Sequence, residues 1–132
     1  YSILDRRPEE ETMPLLHDHG ISVVTRGPLA KGLLSDKMLE KVTQKGYQDY
    51  NQQELLDVLP ALKDKLAGDR SFAEIALRYN LAHPVVASVV AGASSPEQVR
   101  SNARSVSSRP LTKEEITIIN KISKAGTYKE HR

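Results

Sequence analysis

Four small residues, Gly92, Ala93, Ser94 and Ser95, separate an apolar run (residues 85–91, VVASVVA) from Pro96. That arrangement can hold an anion. Ser95 is placed to cap a helix, Pro96 suits the first helical position, and Gln98 follows Ser95 by three as in a capping box. The first amides of such a helix lack intrahelical partners and carry the positive end of its dipole. With no bulky side chain in the way, a phosphate can approach them. An ordinary strand-to-helix turn has the same spacing, and on spacing alone it is the commoner outcome.

Other candidate groups carry less. His17 and His19 stand one residue apart at a helix end, which does not aim them at one metal ion, and no third ligand is evident. His83, before Pro84, reads as a helix-end residue rather than a base. Asp5, Arg6 and Arg7 read as a local salt bridge at a turn. Glu9, Glu10 and Glu11 read as acids that complement a helix dipole. Cysteine is absent, which removes disulfides, thiolate nucleophiles and cysteine zinc sites and is compatible with a reducing cytoplasm. A net charge of +2 with no Lys/Arg block argues against nucleic acid. No apolar run approaches the ~18 residues of a membrane span.

The elements that would position these groups follow from periodicity. Residues 1–4 read as a short strand. A helix is expected from Pro8 towards His19 and Gly20, with Met13, Leu15 and Leu16 apolar and Pro14 bending or delaying it. The β-branched run 21–25, ISVVT, reads as a buried strand. Residues 27–50 show no strong pattern beyond a short helix near 38–45, and a loop that long is usually functional or mobile. A helix opening at Tyr50 or Asn51 carries Leu55, Leu56, Leu59, Leu62 and Leu66 on one stripe, with Pro60 as an interruption. Ser71 and Glu74 form a capping box for a helix bearing Phe72, Ile75, Ala76 and Tyr79. After the strand at 85–91, a helix should turn Val99, Ala103 and Val106 inward. Thr112 and Glu115 cap a last helix with Ile116, Ile119 and Ile122 buried. Residues 126–132 should fray.

Short apolar strands alternating with helices are the pattern of a parallel sheet in an α/β fold. Three such strands would leave both sheet edges open. A (β/α)8 barrel needs eight strands and about 250 residues. The chain therefore reads as about three β/α units, the C-terminal part of such a barrel. In that fold the phosphate site commonly follows the last two strands.

The segments YSILDRRPE, TRGPLAKGLLSDK and SFAEIALRYNLAHPVVASVVAGASSPEQVRSN resemble the C-terminal part of the aldo-keto reductases, most closely the branch that includes the potassium-channel β subunits. The resemblance covers nearly all of residues 1–132 and implies a barrel whose first half is not in this sequence. By it, residues 1–4 end strand six, 21–25 form strand seven and 87–91 strand eight. It further implies an NADP(H) site. Gly27, Pro28, Leu29, Ala30 and Lys31 fall on the loop that runs along the pyrophosphate, and Lys37 on the part of that loop that closes over the cofactor. Gly92 and Ser94 fall around the adenosine phosphate. Gln98 and Asn102 match the pair that meets the adenine, and their spacing puts them on one helix face. Arg26 stands where many members place an aromatic residue against the nicotinamide. Ser101 stands where the channel-like branch has a glutamate. Hydroxyls, a helix N-terminus and Arg100 or Lys37 would favour NADP(H) over NAD(H).

The resemblance implies hydride transfer to aldehydes or ketones by the parent enzyme, in the cytoplasm. The family's catalytic tyrosine, lysine, aspartate and histidine belong to the first half of the barrel. Tyr1, Tyr47, Tyr50, Tyr79 and Tyr128 do not match that tyrosine's context, so residues 1–132 by themselves are expected to be inert. Exposed strand edges would drive self-association or pairing with the first half. Two other functions fit the same residues: a non-catalytic nucleotide-binding regulatory or scaffold subunit, and an unrelated barrel holding a phosphorylated ligand.

Overall fold

A computed structural model describes residues 1–130. Its two strands, β1 (Val23–Arg26) and β2 (Val86–Val90), pair in parallel, with Val24 opposite Ser88 and Arg26 opposite Val90. Six α-helices accompany them: α1 (Thr12–Asp18), α2 (Met38–Lys41), α3 (Gln52–Leu66), α4 (Phe72–Ala82), α5 (Pro96–Ser105) and α6 (Lys113–Ile122). Single 3-10 turns lie at Arg7–Glu9 and Ala30–Gly32.

Helix starts follow their capping residues. Asn51 accepts from the Glu54 amide, Ser71 from Glu74, Ser95 from Gln98 and Thr112 from Glu115. Each such bond satisfies an amide that the helix itself cannot. At α3 and α6 the glutamate also returns to the cap amide and completes the box. Pro60 does not interrupt α3, which runs unbroken to Leu66. The bond that Pro60 cannot make would have gone to the carbonyl of Leu56, and Leu56 is exposed rather than on the buried stripe.

The core lies between the helices. Leu55, Leu59, Leu62 and Leu66 of α3 join Phe72, Ile75 and Ala76 of α4 and Ile119 of α6, all buried. Full burial of each large side chain contributes roughly 1.5–3 kcal/mol. The sheet is bound to this core through a polar pair. Buried Thr25 of β1 donates its hydroxyl to Asn80 Oδ1 of α4 at 2.8 Å, and Asn80 Nδ2 donates to the Ala76 carbonyl.

Several expectations fail here. Residues 1–4 are not a strand: Ser2 and Asp5 exchange two backbone bonds across a tight turn. Tyr1 nevertheless lies at the end of β1, its ammonium donating to the Arg26 carbonyl. The strands are not buried on both faces, since Val24 and Val90 on the side away from α4 are 64% and 59% exposed. On α5, Val99, Ala103 and Val106 face solvent rather than the interior. No described residue covers these faces. In the tail expected to fray, Tyr128 lies under the Arg7 guanidinium and Lys129 pairs with Asp49. The last two residues of that expectation, 131 and 132, lie outside the described residues.

Candidate functional site

The loop that leaves β1 is held from below and open from above. Pro28, Ala30, Leu33 and Leu34 are buried and anchor it to the core. Gly27 turns the chain at φ +71. Ala30 and Lys31, at φ 49 and 59, occupy the left-handed region that residues with a Cβ avoid. Such strain costs on the order of 1–3 kcal/mol per residue and persists only where the surroundings fix it. Here the Ala30 amide donates to the Gly27 carbonyl, and the amides of Gly32 and Leu34 both donate to the Leu29 carbonyl. Leu29, near φ −96 and ψ 4, precedes left-handed Ala30. A bridging residue followed by left-handed ones is the backbone pattern from which anion-binding concavities are made.

The turn between β2 and α5 faces this loop. The Ser95 hydroxyl accepts from the Gln98 amide at 3.2 Å. The Gln98 side chain does not close the box on Ser95. Its Oε1 instead accepts from the Ser94 amide at 2.6 Å and from the Ser94 hydroxyl at 3.1 Å. Asn102, one turn on, donates from Nδ2 to the Gly92 carbonyl at 3.2 Å. The Gln98 amide nitrogen and Asn102 Oδ1 are left to offer a donor and an acceptor side by side.

Between loop and turn lies a cleft of 760 Å³. Of the residues that the resemblance assigns to the cofactor, those of the two loops and α5 line it: Arg26 to Lys31 and Lys37 on one side, Gly92, Ser94, Gln98, Ser101 and Asn102 on the other. Arg100 does not. Gly32, Ser35, Lys41, Ala73 and Val90 join the lining unforeseen. Lys41 had a signal, its place four residues after Lys37, but the pattern of 27–50 was too weak to use it. Arg26, Lys31, Lys37 and Lys41 put four cations around the cleft, and no carboxylate lines it. None of the four forms an ion pair among the described residues. The lining is cationic and free of carboxylates, a charge balance that favours anions.

A second cavity, of 440 Å³, adjoins the first through Arg26, Gly27 and Lys31 and is also lined by Tyr1, Asp5, Arg7 and Tyr47. Asp5 there is bound in a fork by Arg7, with both contacts at 2.7 Å, so the local salt bridge is the right reading of that pair. Arg7 holds the Asp5 carboxyl below the ordinary range against the opposing effect of burial.

Glu9 is more than a dipole complement. It lies at the centre of a half-buried network missed in the sequence. Its carboxylate accepts from the Tyr1 hydroxyl at 2.5 Å, the Tyr79 hydroxyl at 2.6 Å and Arg6 Nε at 3.1 Å. Burial alone would raise its pKa, yet these three donors hold it below the usual carboxylate value. Burial, and then the neighbouring groups, push the tyrosines the other way, so both hydroxyls stay protonated. His83 accepts from the Val85 amide at Nδ1, and burial lowers its pKa. His17 faces Asp18, while His19 Nδ1 lies 2.9 Å from the Leu15 carbonyl. No group of three His, Cys, Asp or Glu among the described residues is placed to hold a metal. No helix among them is long and apolar enough to cross a membrane.

Comparison with known proteins gives this geometry a lineage. The sequence profile of the Aldo/keto reductase family matches residues 1–124. The oxidoreductase YqkF of Bacillus subtilis (strain 168) is 47% identical over all of this chain and 44% of its own length. The NADH-specific methylglyoxal reductase of Escherichia coli (strain K12) is 30% identical over 95% of this chain and 40% of its own. Among solved structures, aldo-keto reductase AKR11C1 from Bacillus halodurans, in its holo form, superposes on the whole chain with a TM-score of 0.88 at 50% identity, over 43% of its own length. The chain thus spans less than half the length of each, and its strands and helices are the C-terminal part of a (β/α)8 barrel.

Proposed function

The chain belongs to the aldo/keto reductase family, and from that premise we propose that it supplies the dinucleotide-binding part of a carbonyl reductase, with NADP(H) as its cofactor. Members of the family generally use NAD(P)H. The observation that carries the reading is the convergence of a strained loop, a capped helix and four cations on one 760 Å³ cleft free of carboxylates.

The residues fit such a group. Lys31 and Lys37 suit a pyrophosphate. Ser94 at the start of α5 suits a phosphate on the adenosine side. The donor of Gln98 and the acceptor of Asn102 complement an adenine edge, which presents an amino group beside a ring nitrogen. Arg26 borders both cavities, and their junction suits the nicotinamide end. Once bound, the cofactor supplies a hydride to an aldehyde or ketone carbonyl. Residues 1–132 bind and orient. They do not provide the acid: no tyrosine lines the cleft, the hydroxyls of Tyr1 and Tyr79 are committed to Glu9, and burial raises the pKa of Tyr47 beside the second cavity.

The E. coli relative is by name NADH-specific, so the test uses both nucleotides. Oxidation of NADPH and NADH is followed with a panel of short aldehydes. A protein of the relatives' full length that carries this stretch should turn over and favour NADPH by about tenfold, the worth of one hydrogen bond from Ser94 to the charged added phosphate. A polypeptide limited to residues 1–132 should show no turnover. Turnover by that polypeptide would refute the division of labour, and an NADH preference would refute the choice of cofactor.

A further inference from the structure

We propose that Lys41 binds the pyrophosphate of the dinucleotide and that Gly32 is what lets it do so. The inference rests on the dinucleotide reading above. Helix α2 has only four residues, far below the length at which a helix is stable alone, and Met38 is its single buried anchor. What it achieves is placement. Lys37 stands just before it and Lys41 ends it, and both line the cleft. Residues four apart lie on one helix face, so the turn presents two ammonium groups together.

Lys41 reaches the cleft by crossing Gly32. Its Cγ, Cδ and Cε lie 3.3, 3.5 and 3.3 Å from where a Cβ on Gly32 would stand. Gly32 also sits at φ +90, a conformation side chains rarely tolerate. The lysine stem therefore packs over the loop that carries Ala30 and Lys31. No carboxylate among the described residues pairs with its ammonium, and none lines the cleft beside it. Lys41 comes from the β1 side of the cleft, with the loop after β1, and not from the α5 side with Gln98 and Asn102. That placement directs it to the phosphates common to both nucleotides rather than to the 2′-phosphate of NADPH.

The test is Lys41→Met, which keeps the methylenes and removes the charge, with Lys41→Arg as the conservative partner. NADPH and NADH are titrated into wild type and both variants at two salt concentrations. The expected result is an equal loss for the two nucleotides in Lys41→Met, about tenfold, a shallower salt dependence, and affinity largely retained in Lys41→Arg. Unchanged affinity in Lys41→Met, or a loss confined to NADPH, overturns the inference while leaving the dinucleotide site standing. A wild type that binds neither nucleotide overturns both.

Discussion

Glu115 shows how much one carboxylate can organise. It caps α6 by accepting from the Thr112 amide at 3.0 Å, accepts from Arg109 at 2.7 Å, and pairs with Arg70. Burial acts to raise its pKa, but the hydrogen bonds from Arg109, Thr112 and Arg70 prevail and hold it at about 2. A native pKa below the unfolded one stabilises the fold above the ordinary carboxylate value and loses that contribution as pH falls towards about 2. Arg70 is buried, and its Nε and one terminal nitrogen have no partner among the described residues, so removing Glu115's charge strands a guanidinium. Glu115→Gln should therefore cost about 3 kcal/mol at pH 7, in the range for a broken buried pair, and much less near pH 2. Denaturant unfolding at the two pH values checks this; an equal loss at both would contradict it. At this scale the sequence was most legible where chemistry needs small or amide side chains at fixed spacing, as at Gly92, Ser94, Gln98 and Asn102. It was least legible at Glu9, whose two tyrosine partners sit 8 and 70 residues away in the chain.

Elements were legible through their caps. Ser71, Ser95 and Thr112 each accept from the expected amide, because the capping bond is local and needs no knowledge of the fold. Residues 1–4 failed as a strand because their apolar side chains serve a bridged turn whose Ile3 and Leu4 are buried in the helical core. The loop 27–50 lacked periodicity for a physical reason: it is fixed by positive-φ residues and buried anchors rather than by a repeating face. Ser95 tests how element and site are joined. Its hydroxyl holds the first turn of α5, and Gln98 and Asn102 ride on that helix. Ser95→Ala should lower stability by about 1 kcal/mol and weaken NADPH binding several-fold. Chemical denaturation and nucleotide titration measure the two effects. Binding that stays at the wild-type level would mean that the cap does not position the pair.

For the molecule as a whole, the helical side is closed and the sheet side is not. Thr25 and Asn80 lock β1 to α4, while Val24 and Val90 on the opposite face and Val99 and Val106 on α5 remain exposed. Hydrophobic periodicity marks a face that needs cover. It cannot say whether the covering atoms lie in the same stretch of chain, which is why the inward readings of Val99, Ala103 and Val106 failed. The cleft needs no such cover to be recognisable, since loop, turn and α2 all come from within these residues. Its role as a dinucleotide site is tested most directly by equilibrium titration of NADPH into the wild type and into a Gln98→Ala, Asn102→Ala double variant whose folding is verified by circular dichroism. The expected result is saturable single-site binding by the wild type, weakened by about 5-fold to 150-fold in the variant, as for the loss of two hydrogen-bonding side chains at roughly 0.5–1.5 kcal/mol each. No saturable binding by the wild type, or equal affinity in the two proteins, would contradict the assignment.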